Sequence, residues 1–108
     1  NWVMHTDAPV SPLGSLHKIR VAAERDLWAE PGTILAPDER VDVETAIRAV
    51  TRNAAWACQS EHEIGSLEAG KLADFVVLED DPRRVEATAI SDIKVSETWM
   101  DGNQVYSA

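Results

Sequence analysis

The segment Ile64-Gly65-Ser66-Leu67-Glu68-Ala69-Gly70-Lys71-Leu72-Ala73-Asp74-Phe75-Val76-Val77-Leu78 constrains the fold more than any other part of the chain. Gly65 and Gly70 permit positive φ or close backbone approach. Glu68-Ala69-Gly70-Lys71 reads as a tight polar turn. Phe75 to Leu78 is β-prone and bounded by charged residues, so a buried strand is expected there. Asp74, just ahead of the strand, is suited to bonding the backbone of a turn. The chain therefore reverses and enters a sheet. The two glycines make no phosphate cradle, because no Gly-rich loop leads into a helix carrying Lys and Ser or Thr.

The remaining elements follow from spacing. Trp2-Val3-Met4 is a short apolar run, expected to be a strand that ends in the polar tip His5-Thr6-Asp7. Pro9 and Pro12 exclude helix and force an extended loop over Ala8-Pro9-Val10-Ser11-Pro12. Ser15 is the expected N-cap of a helix running to about Ala29, with Leu16, Ile19, Ala23 and Leu27 on its apolar face. Glu30-Pro31-Gly32 ends it, and Pro37-Asp38-Glu39-Arg40 forms a turn. Asp42 is a good N-cap for the next helix, and Glu44 suits its first turn. Val43, Ala46, Ile47, Val50, Ala54 and Ala57 make one continuous stripe, so a single helix is expected over 43–57. Asp80-Asp81-Pro82-Arg83-Arg84 is a loop, and Val85 to Ser91 holds a short helical turn. Ile93 to Met100 alternates with period 2, which predicts a strand. Asp101-Gly102 then separates it from Val105-Tyr106 as a hairpin signal. The order is strand, two helices, then at least three strands: an α+β chain.

At 108 residues the chain has the size of one domain, able to bury about 65% of its unfolded surface. Ten basic against nineteen acidic residues give a net charge of −9, which argues against nucleic-acid or anionic-membrane partners. Cys58 is the only cysteine, so neither a disulfide nor a thiolate metal site can form within the chain. That fits a reducing compartment, and a cytoplasmic location is the expectation. Cys58 ends an apolar helical stripe, where a free Cys acts as a small buried hydrophobe and not as a nucleophile. Trp28, Trp56 and Trp99 read as packing residues, and Trp2 as facing either an interior or water. No apolar run reaches membrane-span length. The first residue is Asn1, so a longer parent protein is expected.

With these pieces in place, the chain resembles the C-terminal portion of a metal-dependent amidohydrolase and is most similar to the amidohydrolase 3 family. His5-Thr6-Asp7-Ala8-Pro9-Val10-Ser11-Pro12 is similar to the family's Ser-Asp-x-Pro segment at the end of the last barrel strand, with Thr6 where Ser is usual. Val43 to Ala57, with Thr51-Arg52-Asn53-Ala54-Ala55, is similar to the helix that follows. Gly65 to Leu78 is similar to the family's return into its small β-domain, and Ile93 to Tyr106 to its closing hairpin.

The resemblance implies a fold and a chemistry. Residues 1–60 are expected to be the C-terminal end of a (β/α) barrel, comprising its last strand, an active-site loop and two helices. Residues 61–108 are expected to belong to a composite β-sandwich. The implied reaction is hydrolysis of a non-peptide amide or cyclic amide C–N bond by metal-activated water. It uses one or two divalent metals, zinc foremost, on a small-molecule substrate, and a homo-oligomer is allowed. Other ligands would precede Asn1: His5, His17 and His62 show no His-x-His spacing, and the isolated chain is expected to be inactive.

Asp7 is the one residue that carries over as chemical, as metal ligand and as the carboxylate handling protons for the water. The plainer reading, that Asp7 caps a turn ahead of Pro9, stays open. On a strand His5 and Asp7 would face the same way, which allows joint ligation, although loop packing is the favoured role for His5. His17 and His62 read as solvated. The competing reading of the whole chain is a non-catalytic, β-rich structural or interaction module derived from that family.

Overall fold

The computed structural model describes residues 1–27 and 29–108, and the expected packing role of Trp28 lies outside them. The first helix, α1, spans Ser15–Glu24. It is shorter than its spacing suggested, because Arg25 adopts φ 57° and its N–H caps the Val21 carbonyl at 2.8 Å. Beyond it the backbone groups are taken by other partners. Leu27 N–H donates to Thr33 O at 2.9 Å, and Asp26 bridges Ile34. The N-cap is Gly14, which offers no side-chain bond, so Ser15 is the first helical residue and not the cap.

Helix α2 spans Val43–Val50 and α3 spans Arg52–Ala57. Asp42 caps α2 as expected, its Oδ1 accepting from Thr45 N–H at 2.8 Å and its Oδ2 from Thr45 Oγ1 at 2.7 Å. The expected single helix is broken at Thr51, with φ −121° and ψ −94°. The Thr51 hydroxyl donates to the Ile47 carbonyl at 2.8 Å, a side-chain bond of the kind that bends helices. Ala46, Ala49 and Ala55 are buried on the two pieces, whereas Ala57, expected on the apolar stripe, is exposed.

Three antiparallel strands form one sheet in the order β1-β2-β3: β1 Phe75–Leu78, β2 Val95–Met100 and β3 Asn103–Ser107. Phe75 pairs with Trp99, and their rings stack at 5.6 Å, so Trp99 packs as expected. Asp101 (φ 48°) and Gly102 (φ 72°) form the two-residue hairpin turn between Met100 and Asn103. The predicted strand over Phe75–Leu78 forms, but it is not buried: Val76 is 51% exposed and Val77 39%. Val76 and Val77 point to opposite faces of the strand, so among the described residues neither face of the sheet is fully covered there.

The expected opening strand Trp2-Val3-Met4 is absent, because no strand lies beside it among the described residues. The Trp2 carbonyl instead accepts from Asn53 Nδ2 at 2.9 Å. The core is small. Ile19, Ala46 and Ile90 are buried together, with Leu16, Ile47, Val50 and Val85 packed around them. Ile90 comes from the short helical turn Ala87–Asp92, near where the sequence placed one. Gly65 (φ 89°) lies where an added Cβ would meet Ala55 Cβ at 2.5 Å, so the segment returning to the sheet presses directly on α3. Trp56 and Cys58, expected to be packed, are both exposed. Among the described residues no helix is long and apolar enough to cross a membrane.

Candidate active site

Asp7 stands at the start of a tight turn. Its φ is 50°, a left-handed conformation uncommon outside glycine, and its carbonyl accepts from Val10 N–H at 2.9 Å. The Ala8-Pro9 peptide is cis. The Ser11 hydroxyl donates to the Thr6 carbonyl, closing the loop from its far side. Asp7 is exposed, and among the described residues its carboxylate accepts no hydrogen bond. The expected alternative, a carboxylate capping its own turn, is therefore not what the side chain does.

His5 and Asp7 do not share a strand face, because residues 1–6 form no strand. His5 instead lines a cleft of about 670 Å³ with Val3, Ser11, His17, Arg20 and Asp26. Asp7 is not among the residues lining it. His17, expected to be solvated, is half-buried in that cleft wall. His62 is solvated as expected, with 71% of its side chain exposed and Glu63 Oε1 3.6 Å away. Sequence reasoning missed two features here. Arg20 and Asp26 form an ion pair across the end of α1, and no spacing signal marks it. The closure by Ser11 was the more accessible, since a hydroxyl between Pro9 and Pro12 has few backbone partners within reach.

The carboxyls with perturbed acidity serve structure. The Thr45 N–H holds Asp42 below its usual range, and the Ser66 hydroxyl does the same for Glu68 with help from the Lys71 charge. Hydrogen bonds from the Arg83 side chain and backbone pull Asp81 down to about 2. All three sit in a helix cap or a turn, and none lines the cleft beside His5.

Among the described residues no group of three or more His, Cys, Asp or Glu side chains could hold a metal ion. What this loop offers is an exposed carboxylate, Asp7, that accepts no hydrogen bond from a described residue, with the imidazole of His5 two residues away in sequence. Both are suitable donors for a divalent cation, so Asp7 fits as one ligand of a set that other residues must complete.

Residues 1–106 match the amidohydrolase family. The chain belongs to that family. It is 36% identical over 103 residues to Protein LONG AFTER FAR-RED 3 of Arabidopsis thaliana, a match covering 94% of this chain and 17% of that protein. It is 34% identical over 97 residues to the N-substituted formamide deformylase of Arthrobacter pascens, covering 90% of this chain and 18% of that one. In structure it is similar to an amidohydrolase from Thermotoga maritima MSB8, with a TM-score of 0.71 and 24% identity, covering 98% of this chain and 23% of the other. The chain thus spans less than a fifth of the length of these two curated relatives.

Proposed function

We propose that this chain is the C-terminal part of a metal-dependent hydrolase acting on the C–N bond of a small amide or cyclic amide, with Asp7 at its reacting centre. The observation that carries the reading is the family match over residues 1–106, which takes in the exposed carboxylate of Asp7, free of any hydrogen bond to a described residue. Family membership and the deformylase name of one relative support the C–N chemistry.

A divalent cation, zinc foremost, polarises the scissile carbonyl when bound and acidifies the water beside it. The chain's own part is to supply Asp7, first as a cation ligand and then as the base that takes the proton of the attacking water. The same carboxyl returns that proton to the departing nitrogen, which leaves as the amine. His5 lines the neighbouring cleft and shapes the approach of a small substrate. In this reading residues 1–60 end a (β/α) barrel and residues 61–108 contribute to a composite β-sandwich. The isolated chain is inactive. The parent protein is cytoplasmic, acts on a small molecule rather than on nucleic acid or a membrane, and is compatible with a homo-oligomer. The solvent-facing Val76, Val105 and Tyr106 of the sheet support a second layer there in the parent.

Metal removal tests this. The full-length protein, dialysed against a zinc chelator, is expected to lose hydrolysis of an N-substituted formamide or a cyclic imide and to regain it on adding zinc. Turnover of such substrates that survives complete metal removal would contradict the proposal.

A further inference from the structure

The two peptide planes that flank Asp7 are each held by a separate bond. On the C-terminal side, the Asp7 carbonyl accepts from Val10 N–H at 2.9 Å. On the N-terminal side, the Thr6 carbonyl accepts from the Ser11 hydroxyl. A peptide unit is planar, so fixing the Thr6 carbonyl fixes the plane that carries the Asp7 N–H. Rotation of the Asp7 Cα substituents about the N–Cα bond leaving that plane is φ, and rotation about the Cα–C bond entering the second plane is ψ. Together the two bonds determine where the Asp7 Cα–Cβ bond points.

That control is needed here. The left-handed region costs a residue with a Cβ up to about 1–2 kcal/mol, and although Asp tolerates it better than most, the two bonds decide how firmly Asp7 is held there. One of the two bonds is backbone to backbone and survives any substitution at position 10 except proline. The other depends on a single side-chain hydroxyl, half-buried between two prolines on the wall of the cleft that His5 lines.

We infer that Ser11 is a positioning residue, whose hydroxyl holds the Thr6 carbonyl and thereby aims the Asp7 carboxylate at the cation and the water. Ser11 contacts neither; it acts through the backbone of Asp7. The inference rests on the assignment of Asp7 proposed above.

The test uses full-length protein with Ser11→Ala, Ser11→Thr and Asp7→Asn. Zinc affinity is read by competition with a chelator, and kcat and KM are read on an N-substituted formamide. Ser11→Ala is expected to weaken zinc binding and lower kcat by about tenfold each, with KM nearly unchanged, the usual scale for losing a group that orients a metal ligand. The unfolding midpoint of the metal-free protein should not move. Ser11→Thr keeps the hydroxyl and should restore both values. The inference is overturned if Ser11→Ala binds zinc and turns over like the parent. It is overturned equally if Ser11→Thr is as impaired as Ser11→Ala, or if the metal-free midpoint falls in step with the activity. Asp7→Asn separates the two levels: if it too keeps zinc and turnover, the Asp7 assignment itself has failed. If it loses them while Ser11→Ala does not, only the role of Ser11 has.

Discussion

Asp74 Oδ1 accepts a hydrogen bond from the backbone N–H of Asp101 at 2.8 Å, across 27 residues of sequence. The Gly102 N–H donates to the Ala73 carbonyl at 3.1 Å beside it, so the residues before β1 hold the β2–β3 hairpin at its tip. Asp74→Ala should therefore raise hydrogen exchange at the Asp101 amide and cost about 1 kcal/mol of stability in the full-length protein. Asp74→Asn keeps an acceptor oxygen and should lose less. Unchanged exchange at Asp101 in Asp74→Ala would mean that the hairpin is set by its own turn alone.

Gly65 and Gly70 both have positive φ, but only one is crowded. A Cβ at Gly65 would meet Ala55 Cβ at 2.5 Å and Arg52 Cα at 3.3 Å, whereas one at Gly70 would meet nothing within 4 Å. Gly65→Ala is expected to destabilise by about 3 kcal/mol, from overpacking and backbone strain together. Gly70→Ala carries the strain alone and should cost about 1 kcal/mol. Thermal unfolding of the two variants checks the ranking. Adding Ala55→Gly to Gly65→Ala should recover part of the loss, with a coupling of at least about 1 kcal/mol.

The Asp81 carboxyl titrates at about 2, below its ordinary 3.8, with hydrogen bonds from the Arg83 side chain as the main cause. A depressed folded-state value stabilises the fold fully above the ordinary value and loses that contribution as pH falls through about 2. Carboxyl titration by NMR should find the low midpoint. Arg83→Gln should raise it part of the way, because the Arg83 N–H bond at 2.9 Å is a backbone bond and remains. Arg84→Gln should raise it less, since Arg84 acts only through its charge.

These relationships were legible in the sequence to different degrees, and the difference is one of range. Asp42 as a cap, the turn at Glu68–Lys71 and the Asp101-Gly102 hairpin depend on neighbours a few residues apart, and the structure has each where the sequence put it. The end of α1 was not legible. It is fixed by Arg25 turning left-handed and by Asp26 and Leu27 pairing with Ile34 and Thr33, which takes the backbone bonds that a longer helix would have used. The break at Thr51 was hidden by an apolar stripe that runs unbroken across it. At the candidate site, the resemblance to the family's Ser-Asp-x-Pro segment is what singled out Asp7. It gave no sign of the residue's left-handed backbone or of the hydroxyl five residues on from Thr6 that closes the loop. Exposure was the least legible property. Val76, Val77 and Trp56 have the chemistry of packed residues, and no described element covers them.

The central claim is that the Asp7 carboxylate takes part in the reaction, and replacing it with an amide of the same shape tests that most directly. The amide cannot accept the proton of the attacking water. Asp7→Asn also removes no packing, because the side chain is exposed and has no hydrogen-bond partner among the described residues. In the full-length protein, Asp7→Asn is expected to lower turnover of an N-substituted formamide by about 10²–10⁴-fold while the unfolding midpoint of the metal-free protein stays that of the parent. Turnover equal to the parent's in a correctly folded Asp7→Asn protein would contradict the claim.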